Sequence, residues 1–200
     1  MPSKLVPLRV LAITIASCVL TVWAQDQPAK KPDSVAHGPQ SITPPAKETP
    51  QQFLTKRAGE WTRTIRFVGQ PDAQSESFSG TAKISAISGG RFLLEEYSDV
   101  VFGRPITGTR LFGYNTVTGQ YEAAFTGTTS PAILMLKGTS MDGGKVVDYS
   151  GESESANGTK FTLNIRVRQV DEDHIVMSFS MTGPDGKPTT FQETAYSRKK

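Results

Sequence analysis

The sequence predicts an all-β protein, an antiparallel up-and-down barrel of about ten strands preceded by one short helix. Three observations predict it. Inward and outward types alternate with period two, as where Phe78, Gly80, Ala82, Ile84 and Ala86 interleave with Ser79, Thr81, Lys83 and Ser85. That pattern belongs to a sheet wetted on one side. Turn signals recur at short, even spacing, among them Asn157-Gly158 and Gly183-Pro184-Asp185-Gly186, which fits a barrel or a sandwich. No connection is long enough for a crossover, so each strand meets the next, and closing such a meander removes exposed edges.

The chain divides into three parts. In residues 1–24, Lys4 and Arg9 precede an apolar run from Val10 to Ala24, with Val22 and Ala24 small enough for a cleavage site before Gln25. This reads as a signal peptide of a periplasmic or secreted bacterial protein, too short for a span and leaving no integral membrane helix in the mature form. A competing reading takes Ile15-Ala16-Ser17-Cys18 as a lipobox that anchors the protein through Cys18; the chain stays apolar from Val19 to Trp23, where a lipoprotein turns polar. Residues 25–47 are rich in Pro, Gln, Ser and Lys and read as a disordered tether, with His37 a solvated residue in it. Residues 48–200 form the barrel domain, long enough to build a core without disulfides. Cys18 is the only cysteine, so cleavage after Ala24 leaves no thiol chemistry.

The elements follow in order. Thr49-Pro50-Gln51-Gln52 is a capping box with Pro at the first helical position. Phe53 and Leu54 give the apolar side, and Gly59 stops the helix. Trp61, Arg63, Ile65 and Phe67 share a face of the first strand, and Phe78 to Ala86 form the second. The double glycine Gly89-Gly90 makes a tight connection into the third, Arg91 to Ser98. Ile106, Gly108, Arg110, Phe112 and Tyr114 share a face of the fourth; Gln120 to Thr126 is the fifth. Ile133–Thr139 and Lys145–Gly151 pair across Met141-Asp142-Gly143-Gly144. Phe161, Leu163, Ile165 and Val167 mark the eighth, His174–Met181 the ninth and Thr189–Arg198 the last.

Several motifs then occur in a familiar order. They are Gly59-Glu60-Trp61, Gly80-Thr81-Ala82, Gly89-Gly90-Arg91-Phe92-Leu93, Glu96-Tyr97, Gly113-Tyr114-Asn115, Asp173-His174, Thr182-Gly183-Pro184-Asp185-Gly186-Lys187 and Tyr196-Ser197-Arg198-Lys199. Together, from about Phe53 to the C-terminus, the chain closely resembles the bacterial family catalogued as domain of unknown function 1579. The resemblance implies a calycin-type barrel, related in shape to lipocalins, and implies no activity. It also implies that Trp61 plugs the closed end with Arg198 stacked over it, a contact of about 0.5–2 kcal/mol. The chain departs from the family pattern at Asn115, at Phe125-Thr126 and at Val176 to Phe179, where relatives carry acids or Trp-Asp. Any chemistry resting on those acids is lost here.

The chain lacks the residues for most catalytic sites. One folded-domain histidine, His174, beside Asp171 and Asp173, is too few for zinc and sits at a turn, which disfavours it as a haem ligand. No cofactor is expected. There is no nucleophile elbow and no glycine loop between strand and helix for phosphates. Removing Lys4 and Arg9 from 22 basic residues leaves 20 against 19 acidic ones, and with no basic cluster beyond Arg198-Lys199-Lys200 this argues against nucleic acid. The remaining candidates are Glu96, expected to face inward with Phe92 and Leu94, and Arg63 or Arg110 as its partner. They are either a structural ion pair or a polar floor, with Tyr114 adding a hydroxyl, that orients a headgroup in an apolar cup.

Three functions stay open. One is a non-catalytic exported barrel binding a small, partly apolar ligand, lined by residues such as Phe78, Phe112, Phe161, Ile165, Met177 and Phe179. Another is an envelope module with a filled core and a protein partner of unknown identity. The last is an enzyme using inward carboxylates and arginines.

Overall fold

The structure, a computed structural model, describes residues 48–69, 76–155, 158–183 and 186–200. The expected signal peptide and tether, residues 1–47, and Asn157, Pro184 and Asp185 of two expected turns lie outside them. Helix α1 (Pro50–Thr55) begins with the expected cap: Thr49 Oγ1 accepts from the Gln52 amide and the Gln52 side chain accepts from the Thr49 amide. Two turns cannot stand alone, and α1 is held by burying Leu54 and by Gln51, whose side-chain amide donates to the Gly90 carbonyl at 3.1 Å.

Gly59 is not the helix stop. The helix ends at Thr55, the Arg57 amide closes back on the Leu54 carbonyl, and Gly59 opens β1 (Gly59–Phe67) at φ +145°. A Cβ there would meet the Arg198 guanidinium, so the position is empty to admit that side chain.

The other strands are β2 (Ser77–Ile87), β3 (Phe92–Val101), β4 (Arg104–Asn115), β5 (Gln120–Gly127), β6 (Leu134–Thr139), β7 (Val146–Glu154), β8 (Lys160–Gln169), β9 (His174–Thr182) and β10 (Pro188–Arg198). Each pairs antiparallel with the next, and β10 closes on β1, giving a ten-stranded barrel. Closure leaves no strand edge unpaired.

The third strand corrects one expectation. Ser88, Gly89 and Gly90 all have positive φ, and Ile87 pairs with Phe92 across a loop that includes Arg91. Opposed residues in an antiparallel pair share a face, so Ala82, Ile84 and Ala86 carry Tyr97, Glu95 and Leu93 inward with them. Phe92 and Glu96 face out. The run Phe92-Leu93-Leu94 is apolar at both parities, so the run itself could not choose a face; the loop length chose it.

The inward faces are sorted by height. At the end covered by α1 the barrel is filled by a core that includes Leu54, Trp61, Leu93, Phe112, Tyr149 and Val167. Arg63, Glu95, Asp99 and Arg110 are buried across the middle. Above them, toward the end bearing the β3–β4 and β5–β6 turns, the interior opens.

A polar layer beneath an apolar cup

Arg63 projects from β1, with an exposure of 1 %, and its Nη1 donates to both oxygens of Asp99 at 2.8 and 2.7 Å. The two strands are not neighbours, because β2 runs between them. Gly80 of β2 lies opposite both Arg63 and Asp99, and a Cβ on it would strike Asp99 Oδ1. A glycine at that position lets the carboxylate lean across β2 to the guanidinium.

Arg110 of β4 pairs with Glu95 of β3, Nη1 to Oε1 at 3.1 Å, and the same nitrogen donates to the Tyr196 hydroxyl at 2.7 Å. Tyr196 in turn donates to Glu95 Oε1 at 2.9 Å. Burial works against the Arg110 charge, but the Tyr196 hydroxyl and the Glu95 carboxylate outweigh it and hold the pKa above its ordinary value. Burial pushes Tyr196 up to about 12, so it stays a neutral donor. Burial also lifts Asp99 above the usual carboxylate range, against the pull of Arg63 and Arg110.

Tyr97 joins the two pairs. Both guanidinium carbons lie 4.3 Å from its ring centroid, within cation–π range. Its hydroxyl end passes over Gly108 and Gly127, which face each other across β4 and β5, and a Cβ on either would collide with it. Three glycines on inward faces thus make room for the two side chains that complete the layer.

Above the layer lies a cup of about 230 Å³, open at the end away from α1. Ile65, Phe67, Val101, Ile106, Leu134, Leu163 and Phe179 form its apolar wall, while Arg63, Tyr97, Asp99 and Arg110 form its floor. Thr126, Thr129, Ser130 and Gln192 add uncharged polar groups. At the rim Phe67 and Phe78 pack against Phe102 of the β3–β4 turn, with Phe78 and Phe102 centroids 4.5 Å apart.

Of the residues expected at a site, the structure brings Arg63 and Arg110 together. It does not bring Glu96, which points outward opposite Lys83 and Thr109; Glu95 and Asp99 supply the inward carboxylates. Nor does it bring Tyr114. Four residues beyond Arg110, about 13 Å along a strand, Tyr114 packs edge-on against Tyr121 at the α1 end, and Tyr97 and Tyr196 take its place. Stepping by two from Leu93 would have found Glu95, Tyr97 and Asp99. Of four residues of the buried cluster expected as lining, Phe112, Ile165, Met177 and Phe179, only Phe179 lines the cup.

The α1 end is a separate cluster. Arg198 lies 4.2 Å over the Trp61 ring and donates to the carbonyls of Ala58, Lys56 and Glu172 at 2.7, 2.9 and 3.1 Å. It thereby satisfies backbone acceptors on the segment leaving α1. Arg57, which is buried, donates to the Gly144 carbonyl and to the Gln169 side chain at 2.9 and 3.1 Å. Burial lowers its pKa, opposed by Tyr149, Tyr121 and Asp142. Gly89 and Gly90 turn the chain beneath α1. Among the described residues no group of three His, Cys, Asp or Glu gathers as a metal site, and no helix is long and apolar enough to cross a membrane.

A family model described as Protein of unknown function (DUF1579) matches residues 46–198. Among solved structures, the chain is similar to Rv2717c from M. tuberculosis, with a TM-score of 0.53 at 15% identity over 76% of this chain and 98% of that one. It is also similar to the S-type phycobiliprotein lyase CPES from Guillardia theta, with a TM-score of 0.48 at 12% identity over 77% and 94% of the two chains. Comparison with curated proteins found no match.

Proposed function

The chain belongs to the DUF1579 family, and from that premise we propose that it is an exported, non-catalytic barrel that holds a small, partly apolar molecule. One observation carries the reading: the apolar cup above a buried polar layer. A barrel that needed only stability would gain from filling this space, since voids forfeit packing. The volume lies below the range of drug-sized pockets, about 300–1,000 Å³. At about 30 Å³ for each water of liquid, it holds the equivalent of roughly eight waters, so the occupant is small or only one end of it enters.

Asp99 supports a second reading, acid–base chemistry, because it borders the cup with a raised pKa. Both of its oxygens are engaged by Arg63, which leaves binding the better account. The test fills the cup without touching the charged layer. Ile106→Trp and Leu163→Trp should reduce binding of an apolar fluorescent reporter at least tenfold and leave the fold intact by circular dichroism. Wild-type protein that binds no reporter and yields no bound molecule on native mass spectrometry would defeat the reading. Export rests on residues 1–24, and sequencing of the mature protein should give Gln25 as its first residue; a lipid-modified Cys18 would favour the anchored alternative.

A further inference from the structure

The floor of the cup also restricts the charge of the occupant. The buried layer that supplies this floor holds two cations and two carboxylates, and each cation is already joined to one carboxylate: Arg63 to Asp99 and Arg110 to Glu95. An incoming carboxylate or phosphate would lose its hydration and find no free counter-charge, and it could reach Arg63 only by displacing Asp99. Desolvating an ion without a partner is strongly unfavourable, and a cup this small has little apolar surface to offset it.

Unused donors nevertheless remain. Tyr97 lines the cup, and its hydroxyl hydrogen-bonds to no group among the described residues, its ring being held by two guanidinium contacts and its tip lying against the glycine pair. Nε of Arg63, whose guanidinium lies against the Tyr97 ring, is buried with no acceptor among the described residues. The other polar wall groups, Thr126, Thr129, Ser130 and Gln192, are uncharged. A donor held rigidly above a charge-balanced floor suits a neutral acceptor, because a carbonyl satisfies the hydroxyl without importing charge.

We infer that the occupant is an uncharged molecule with a short apolar chain and a carbonyl group, as in a ketone, aldehyde, ester or amide, and that Tyr97 donates to that carbonyl. The inference rests on the cup being a binding site and adds the chemical class of its ligand. The opposite preference, for a fatty carboxylate, requires a cation free of its partner, and the layer offers none.

The test titrates the full mature chain with octan-2-one and with octanoate at neutral pH, by calorimetry or by competition with the apolar reporter. The ketone should bind at least tenfold more tightly than the acid. Tyr97→Phe, which keeps the ring between the guanidiniums, should weaken the ketone about fivefold or more and leave the acid unchanged. Octanoate binding as tightly as the ketone, with Ile106→Trp removing both, would overturn the carbonyl assignment and leave the container reading standing. An unchanged ketone affinity in a folded Tyr97→Phe variant would overturn the role of Tyr97. Failure of ketone, acid and reporter alike would overturn the container reading and this inference with it.

Discussion

Glu95 and Glu96 are adjacent in sequence and opposite in environment, because a strand sends successive side chains to opposite faces. Glu95 accepts from Arg110 and Tyr196 at an exposure of 1 %, whereas Glu96 stands outside beside Lys83. Removing the charge of Glu95 leaves Arg110 buried against a neutral amide. We expect Glu95→Gln to cost about 3 kcal/mol in urea denaturation, the lower end for a broken buried pair, since the amide oxygen still accepts one hydrogen bond. Glu96→Gln should stay within about 0.5 kcal/mol of wild type, as an exposed substitution does. Equal effects from the two would contradict the face assigned to β3. The arginines were legible in the sequence because each interrupts an otherwise apolar face. Their partners were harder to read: Glu95 lies directly opposite Arg110, but on a run apolar at both parities, Arg63 meets Asp99 across an intervening strand, and Arg110 meets Tyr196 from a distant one.

At the scale of elements, the alternation located all ten strands, and the capping box located the start of α1. Boundaries failed where a glycine had two possible uses. Gly59 could stop a helix or admit a side chain, and only the arrival of Arg198 from the far end of the chain decides between them. The β6–β7 turn is more self-contained. Asp142 Oδ1 accepts from the Val146 amide and the Ser140 hydroxyl at 2.8 and 2.9 Å, and Ser140 Oγ accepts from the Gly144 amide at 2.9 Å. Slight burial opposes the Asp142 charge, but these hydrogen bonds outweigh it and hold the carboxyl below its ordinary 3.8. A depressed acid stabilises the fold above its unfolded pKa, and that contribution disappears as pH falls through the folded one. Asp142→Asn should therefore be less stable than wild type at pH 7, by about 0.5–1 kcal/mol at this exposed site. The two should converge near pH 2. A gap that persists in acid would mean that the turn depends on shape and not on the charge.

For the whole molecule, closure follows from local signals, since a meander of strands with no exposed partner left over must end where it began. The layering inside it does not. Which inward positions become core, charged layer or cup depends on their height along the barrel, and height depends on register summed around ten strands. The same closure bears on the N-terminal segment. The outermost described contacts of the barrel in sequence, the Glu48–Lys56 ion pair beside the α1 cap and the Lys199 amide on the Glu60 carbonyl, lie within the compact unit from Pro45 to Lys200. Every described strand has both of its neighbours inside that unit. A composition dominated by Pro, Gln, Ser and Lys cannot bury enough apolar surface to offset its own ordering. A chain beginning at Pro45 should thus melt within about 2 °C of one beginning at Gln25, less than the shift expected for 1 kcal/mol in a domain of this size, and should bind the apolar reporter equally well. A loss of more than about 5 °C would mean that the segment packs on the barrel. Unchanged melting with weakened binding would instead make it part of the cup, and the occupant would then be larger than the cup alone can hold.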